Sequence, residues 1–241
     1  MVNDDHFRYW EQWYGGAERM WSGRPNPTLV RRVEELAPGD ALDLGCGEGA
    51  DAIWLAGRGW RVTAADVSRT ALERAARHAA EAGVPDGRID WQWHDLAESF
   101  PAGSYDLVSA QFLHAPLEFP RERVLRRAAE AVRPGGSLLV VGHADTPRED
   151  DGHREHHQAS RQPHDEHEHG HGHERRHGHD EHRRNELRMS AAAEVMAGLE
   201  LGEGEWETVL AEEVAYEGRG RDGEPATRVD SVVQVRRRTP S

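Results

Sequence analysis

The stretch Ala41-Leu-Asp-Leu-Gly-Cys-Gly-Glu-Gly-Ala50 decides the fold of this chain. A short apolar run ends in three glycines at alternate positions, and a helical pattern follows at once. This order predicts a strand, a tight turn and the N-terminus of a helix, an arrangement that brings a nucleotide-like ligand against bare backbone. Glycine suits the turn because a residue without a Cβ lets the chain reverse there and lets a ligand approach the main chain.

The length and composition of the 241-residue chain are consistent with one large domain in a reducing compartment. The net charge of −14 disfavours a nucleic-acid-binding surface, because phosphates would be repelled overall. The lone cysteine, Cys46, cannot form an internal disulfide. No signal peptide is visible, and no apolar run approaches the roughly 20 residues that cross a bilayer. We therefore expect a soluble cytoplasmic protein without a nucleic-acid or membrane partner.

Helical and strand patterns alternate along the first 142 residues, which predicts a parallel sheet covered on both faces. Asn26 and Ser68 are expected as helix N-caps, with Pro27 at a first helical position. The predicted helices begin at Asn26-Pro27 and cover 50–58, 71–82 and 121–132. The predicted strands cover 41–44, 61–66, 89–95, 105–110 and 138–142, with a turn at Pro134-Gly-Gly-Ser137 before the last.

Aromatic residues are dense in residues 3–23 and recur there at helical spacing, as in Phe7, Trp10 and Trp13 or Tyr14. They predict a short amphipathic helix laid on the domain. Two compatible interpretations stay open for it. The helix covers an exposed edge of the core, or it is a lid that shields a ligand from water, since Trp21 lies just upstream of the glycine turn.

Eleven of the sixteen histidines fall between His153 and His182, in sequence that has almost no apolar residue. We expect residues 147–185 to be a disordered insertion, because such a segment cannot bury enough surface to offset chain entropy. The insertion would divide one domain into residues 1–146, with the lid helix and the cofactor-binding part, and residues 186–241. In the second part, Ser190 is expected to cap a helix through Leu199, and 206–216 and 228–235 to form an antiparallel hairpin.

The insertion invites a metal hypothesis, because its imidazoles stand two residues apart among acids, which suits loose binding of nickel, zinc or copper. The alternative is a solvated insertion whose metal binding is incidental. The histidines concerned are His164, His167, His169, His171, His173, His177 and His179.

Two cofactor classes use a glycine turn of this kind. Gly45-x-Gly47-x-x-Ala50, with Asp66 at a suitable distance for a ribose, loosely fits a dinucleotide fingerprint. However, Asp43 would face a pyrophosphate unfavourably, whereas it suits a ligand that bears an ammonium and a sulfonium. Asp43-Leu-Gly-Cys-Gly-Glu-Gly49 resembles the first motif of the class I S-adenosylmethionine-dependent methyltransferases.

Further segments carry the same resemblance in the family's order. Asp66 resembles the acid that holds the ribose, and His94-Asp95-Leu96 resembles the segment that meets the adenine. Tyr105 to His114 and Arg133-Pro-Gly-Gly136 resemble the fourth-strand motif and the turn before strand five. Within the family the chain is most similar to small-molecule methyltransferases of the tellurite-resistance and thiopurine type.

The resemblance implies an α/β fold with a Rossmann-like, doubly wound, seven-stranded sheet, mostly parallel with an antiparallel C-terminal strand. It also implies S-adenosyl-L-methionine as cofactor. The residues expected to bind that cofactor are Trp21, Asp43, Gly45, Cys46, Gly47, Gly49, Asp66, Val67, His94, Asp95, Leu96 and Gln111.

Methyl transfer from a sulfonium is an in-line displacement that depends mainly on orientation and exclusion of water, and it requires no metal. By analogy the acceptor lies above strands four and five, near Gln111, His114, His143 and Asp145. His114 and His143 are the candidate catalytic bases, because free imidazole titrates near neutrality. They could instead order a loop, and a soft acceptor needs no base.

We therefore expect a methyltransferase that acts on a sulfur, selenium, tellurium, oxygen or nitrogen centre of a small molecule. The alternative is a metal-binding or metal-buffering protein that uses the His-rich tract, with the methyltransferase fold as a scaffold.

Overall fold

A computed structural model describes residues 4–16, 20–115, 118–144, 191–219 and 225–240. Its strands are β1 (Asp40–Leu44), β2 (Arg61–Asp66), β3 (Ile89–Trp93), β4 (Tyr105–Gln111), β5 (Val132–His143), β6 (Trp206–Arg219) and β7 (Pro225–Arg237). They form one seven-stranded sheet in the order β3-β2-β1-β4-β5-β7-β6. β7 runs antiparallel to both neighbours, and the pairs among β1 to β5 are parallel. The fold class expected from the sequence is confirmed.

Helices connect the strands and cover both faces of the sheet. They are α1 (Asp4–Gly15), α2 (Pro27–Val33), α3 (Ala50–Gly57), α4 (Arg69–Glu81), α5 (Arg121–Glu130) and α6 (Ala192–Leu199). Two predicted N-caps are confirmed. The Asn26 side chain accepts from the Thr28 N–H at 2.8 Å, and the Ser68 hydroxyl accepts from the Ala71 N–H at 3.1 Å.

The segment Arg133-Pro-Gly-Gly136 lies inside β5, so the predicted turn before strand five and the helix end at residue 132 are wrong. Gly135 has φ +86°, and the register with β4 shifts between Tyr105 and Leu107. Gly136 passes so close to β4 that a Cβ there would lie 2.9 Å from the Tyr105 and Asp106 carbonyl oxygens. The glycines therefore make a bulge that continues the strand instead of ending it.

α6 begins without the expected side-chain cap. Its N-cap residue is Ala191, which has no side chain that could cap the helix, and Ser190 lies outside the described residues. The Ala192 N–H instead donates to the Glu213 carboxylate of β6 at 2.9 Å. A residue distant in sequence supplies the acceptor, so local capping rules could not find it.

Apolar residues of the sheet point to both faces, as expected of strands that are covered on each side. Leu107 and Leu139 pack with α2, α3 and α4 on one face, and Val108 and Leu138 pack with α5 and α6 on the other. The two layers fix the carboxyl ends of β1 to β5 at one edge of the sheet. Among the described residues, no helix is both long enough and apolar enough to span a membrane.

Candidate active site

The glycine turn between β1 and α3 uses conformations that favour glycine. Gly45, Gly47 and Gly49 have φ of +70°, +52° and +84°. A Cβ on Gly45 would lie 2.8 Å from the side chain of Leu113, and one on Gly47 would lie 2.9 Å from the Tyr14 hydroxyl. The turn therefore has no room for side chains at Gly45 and Gly47.

Three acidic side chains surround this turn. Asp66, at the end of β2, accepts from the Gly47 N–H at 2.8 Å and from the Ser68 N–H at 2.9 Å. Burial, together with the charges of Asp51 and Asp66, raises the pKa of Asp43 well above its usual range. Burial also raises the pKa of Asp51 to about 6. A cationic ligand would relieve the repulsion in this cluster.

Buried side-chain atoms without a hydrogen-bond partner gather at the carboxyl edge of the sheet. Asp43, Asp95, Gln111 and His114 lie in or just after β1, β3 and β4, and His6 lies on α1 with its ring 5.9 Å from Phe119. Buried polar atoms normally find partners, so a ligand with matching groups would satisfy these atoms. Within the described part of the chain, the unpartnered atoms are His6 Nε2, Asp43 Oδ2, Asp95 Oδ2, Gln111 Oε1 and His114 Nε2.

α1 is anchored over this edge by one carboxylate. Glu11 accepts from the Ser68 hydroxyl at 2.8 Å, from the Thr70 N–H at 3.1 Å and from the Thr70 hydroxyl at 2.8 Å. Burial raises the pKa of Glu11, but these hydrogen bonds outweigh burial and hold it below its usual value. The helix also places Phe7 edge-on against Trp93, at 6.2 Å between ring centroids.

The segment after α1 is tied to the glycine turn itself. The carboxylate of Glu48, in the turn, accepts from the Met20 and Trp21 N–H groups at 3.1–3.2 Å and from Arg74 at 3.0 Å. Arg74 also donates to the Tyr14 carbonyl at 2.8 Å, and the Trp21 indole donates to the Tyr14 hydroxyl at 3.2 Å. The aromatic segment therefore lies directly over the turn, as a lid would.

Several predicted cofactor residues have local structural partners. His94 is hydrogen-bonded to Ser99 at 2.8 Å and to Gln92 at 3.1 Å, and Leu96 is buried in the core. Val67 accepts a 2.7 Å hydrogen bond from the Trp93 indole through its carbonyl. The hydrogen bonds of His94 order the chain next to Asp95.

Cys46 is buried in the turn, and its sulfur lies 3.9 Å from the Gly47 carbonyl oxygen. Burial and the nearby Asp66 and Asp43 raise the pKa of its thiol well above the usual range. The residue is therefore a small filler and has no thiolate to offer.

The two candidate bases lie together above β4 and β5. The His114 and His143 rings are nearly parallel, at 11°, with centroids 6.3 Å apart. His143 Nδ1 lies 3.1 Å from a carboxylate oxygen of Asp230, on β7. Burial, with the charges of Arg121 and His143, lowers the pKa of His114 to about 4. His114 is therefore neutral at physiological pH.

Several residues of the site escaped the sequence analysis. Asp230 stands 87 positions from His143 and meets it only because β5 pairs with β7 in that register. Glu11 and Arg74 lie in no motif, and Glu48 lies in the glycine motif without being singled out there. Their contacts with α1 and with the segment after it exist only in the folded chain. The pairing of the predicted hairpin with strand five was the one signal that could have found Asp230.

Asp145 and the seven candidate metal-binding histidines lie outside the described residues. In the part of the chain that the structure describes, no three His, Cys, Asp or Glu side chains group as a metal site would require.

Residues 41–136 match the family model described as "Methyltransferase domain". The sheet order, the glycine turn and this match are those expected of a class I S-adenosylmethionine-dependent methyltransferase domain. They support the class of protein and the cofactor that the sequence predicts.

Curated relatives whose names describe their substrates or reactions match about half of the chain. The chain is 32% identical over 129 residues to 2-heptyl-1-hydroxyquinolin-4(1H)-one methyltransferase of Mycobacteroides abscessus, covering 50% of this chain and 54% of that one. It is 31% identical to probable thiol methyltransferase 2 of Arabidopsis thaliana, covering 55% and 60%. It is 36% identical to the ubiquinone biosynthesis O-methyltransferase of Chromobacterium violaceum, covering 45% and 46%. The match thus spans about half the length of these relatives.

Solved structures resemble the chain over nearly its full length. The N-methyltransferase NodS of Bradyrhizobium japonicum, bound to S-adenosylhomocysteine, has a TM-score of 0.61 and 18% identity, covering 97% of this chain and 99% of that one. TehB of Haemophilus influenzae has a TM-score of 0.60 and 16% identity, covering 97% and 67%. At these identities the likeness shows the fold alone.

Proposed function

We propose that this protein transfers a methyl group from S-adenosylmethionine to a small molecule. The observation that carries the proposal is the pair of buried, unpartnered carboxylate oxygens on Asp43 and Asp95. S-adenosylmethionine has a cation at one end and an exocyclic amine at the other. In this arrangement Asp43 accepts from the ammonium and Asp95 accepts from the adenine amine.

The middle of the cofactor would meet Asp66. This carboxylate already accepts from the Gly47 and Ser68 N–H groups, which hold its position. A carboxylate offers about four acceptor sites, so the ribose hydroxyls can add their donors. The glycine turn gives the backbone surface against which the methionine part packs.

This chain would contribute orientation and exclusion of water. Glu11 and Glu48 fix α1 and the Met20–Trp21 segment across the site. Such enclosure keeps water from the reacting atoms and places the acceptor in line with the methyl–sulfur bond.

The acceptor would lie above β4 and β5, between Gln111, His114 and His143. The names of the relatives include a thiol, a hydroxyquinolone and an O-methyltransferase of ubiquinone biosynthesis, which supports a small molecule as acceptor. The thiol relative is also consistent with the tellurite-resistance and thiopurine type, where sulfur, selenium or tellurium receives the methyl group.

The test is release of S-adenosylhomocysteine from the full chain with a panel of thiols, selenite, tellurite and simple phenols. We expect cofactor-dependent product with at least one acceptor, and loss of product in Asp66→Ala. Release that is unchanged in Asp66→Ala would reject the site, and no release with any acceptor would reject the activity.

A further inference from the structure

The partly exposed His143 of β5 and the buried Asp230 of β7 form a pair across the two strands. They are direct partners in the register of β5 and β7, and His143 Nδ1 lies 3.1 Å from an Asp230 carboxylate oxygen. The Asp230 side chain is 7% exposed, whereas the His143 side chain is 39% exposed. A carboxylate at Nδ1 selects the tautomer that carries its proton there, which leaves a lone pair on Nε2.

Side chains of neighbouring residues contact this pair and limit its movement. The Tyr216 hydroxyl of β6 lies 3.5 Å from the same Asp230 oxygen. The Phe112 ring packs 4.5 Å from the His143 ring. Phe112 has φ +51°, an unfavourable conformation for a bulky residue, and its N–H donates to the Val141 carbonyl at 2.8 Å. Backbone strain of this kind persists where the surrounding structure enforces it, often at active sites.

The charged and titratable groups around His143 assign it a different task from His114. Asp230 faces it from β7, Tyr216 from β6 and His114 from the connection after β4. Burial, and after it the charge of Arg121 on α5, lowers the pKa of His114. Burial and the charge of Asp230 raise the pKa of Tyr216, although Arg228 opposes them. His114, half-buried and with a buried, unpartnered Nε2, has no carboxylate partner within the described residues. His114 is a neutral hydrogen-bonding group, whereas the His143 imidazole is paired with the Asp230 carboxylate.

We infer that the methyl acceptor is a hydroxyl compound, such as a phenol, an enol or an N-hydroxyl, and that His143 Nε2 removes its proton. The inference rests on the proposed function and names the substrate class of that site. Aromatic thiols and selenols are largely ionised near neutral pH, so they gain little from a fixed imidazole–carboxylate pair. A phenol, with a pKa near 10, is a poor nucleophile at pH 7 until its proton is removed.

The step balances within the site. The acceptor O–H proton moves to His143 Nε2 while the oxygen forms a bond to the methyl carbon. The bond from that carbon to the sulfonium sulfur breaks, and its electron pair converts the sulfonium to a neutral thioether. The imidazolium then releases its proton to solvent. His143 is the catalytic residue, and Asp230 is a positioning residue that acts through it.

The experiment compares hydroxyl and thiol acceptors in the full chain at saturating S-adenosylmethionine. The acceptors are phenol, catechol, a 1-hydroxyquinolone and thiophenol, and the readout is S-adenosylhomocysteine release. We expect His143→Asn to lower kcat on the hydroxyl acceptors by about 100- to 10,000-fold. On thiophenol, which ionises at neutral pH, we expect only a small change. Cofactor affinity should stay unchanged, because His143 lies on the acceptor side.

Asp230→Asn separates positioning from structure. We expect a loss of about tenfold or more in kcat on the hydroxyl acceptors. The KM for these acceptors should change little, because Asp230 acts through His143 and does not touch the acceptor. Glu207→Gln, which removes an exposed carboxylate from the same hairpin, is the control and should change neither.

Three results would overturn the inference. The first is equal losses on phenol and thiophenol in His143→Asn, which would assign the pair a structural role. The second is wild-type protein that methylates only thiophenol, which would leave the proposed function intact. The third is product from none of the four acceptors. If S-adenosylmethionine also fails to bind, the proposed function falls as well.

Discussion

The two carboxylate oxygens of Asp95 differ in their hydrogen bonding. One of its carboxylate oxygens accepts from the Ala97 N–H at 3.0 Å, while the other is buried and has no partner among the described residues. An unsatisfied buried oxygen costs about 1–3 kcal/mol, which a donor on the cofactor would recover. The sequence predicted the role of Asp95 from its place after strand three. The unpartnered oxygen is visible only in the folded chain.

Asp95→Ala should weaken S-adenosylmethionine binding by about tenfold or more, because it removes a hydrogen bond to a charged acceptor worth roughly 1.5–3 kcal/mol. Isothermal titration calorimetry measures the change in Kd. Asp86→Ala, at an exposed site between α4 and β3, is the control. Equal affinities in the two variants would remove Asp95 from the site.

Gly47→Val should abolish cofactor binding, since φ is +52° there and a Cβ would lie 2.9 Å from the Tyr14 hydroxyl. Gly83→Val is a matched control for backbone strain, because Gly83 has φ +72° and a Cβ there would meet nothing within 4 Å. Circular dichroism verifies that both variants fold. Cofactor binding that survives in Gly47→Val would contradict a ligand lying against this turn.

Because of the cluster of Asp43, Asp51 and Asp66, we expect cofactor affinity and folding stability to change with pH in opposite directions. Asp51, whose pKa is about 6 in the folded protein, adds stability that is complete below its unfolded value near 4 and is lost as pH rises through 6. A cationic ligand prefers the ionised cluster. We therefore expect S-adenosylmethionine to bind more weakly at pH 5 than at pH 7.5, in calorimetric titrations. An affinity that rises at pH 5 would be inconsistent with a cation at Asp43.

At the level of elements, local sequence patterns succeeded where the contacts are local. Asn26 and Ser68 cap α2 and α4 as predicted, because capping needs only neighbouring residues. The predictions for the bulged segment in β5 and for the start of α6 were wrong. Contacts with β4 and with Glu213, which are distant in sequence, determine these two structures. The pairing of His143 with Asp230 is another long-range contact.

One carboxylate, that of Glu11, anchors α1 to the start of α4. Glu11→Ala removes three hydrogen bonds between α1 and the start of α4, so we expect faster hydrogen exchange in residues 4–16 and faster dissociation of the cofactor. Stopped-flow tryptophan fluorescence measures the dissociation rate. Glu73→Ala, an exposed site on α4, serves as control. If α1 loses protection while the dissociation rate stays the same, α1 covers the core and is not a lid.

For the whole molecule, the described residues of the proposed cofactor site all come from the first 115 positions, and those of the acceptor site come from both sides of residues 145–190. The order of motifs predicted the sheet and the cofactor edge, since each motif follows its own strand. Neither order nor spacing could predict how β7 completes the acceptor side, because that requires the register of a strand more than 80 residues away.

Deletion of Pro147–Arg184 should leave the Kd for S-adenosylmethionine within about twofold of wild type, because the side chains proposed to bind it precede this segment. We propose that the same deletion removes loose nickel binding, since it takes away the seven candidate metal-binding histidines. Calorimetric titrations with cofactor and with nickel test both. A large loss of cofactor affinity would place the segment in the cofactor site.

The central claim is that the glycine turn and its acids bind S-adenosylmethionine. The most direct measurement is a calorimetric titration of the full chain with S-adenosylmethionine and, separately, with NAD. We expect one site with a micromolar Kd for S-adenosylmethionine and no measurable binding of NAD. Tighter binding of NAD, or no binding of S-adenosylmethionine, would contradict the claim.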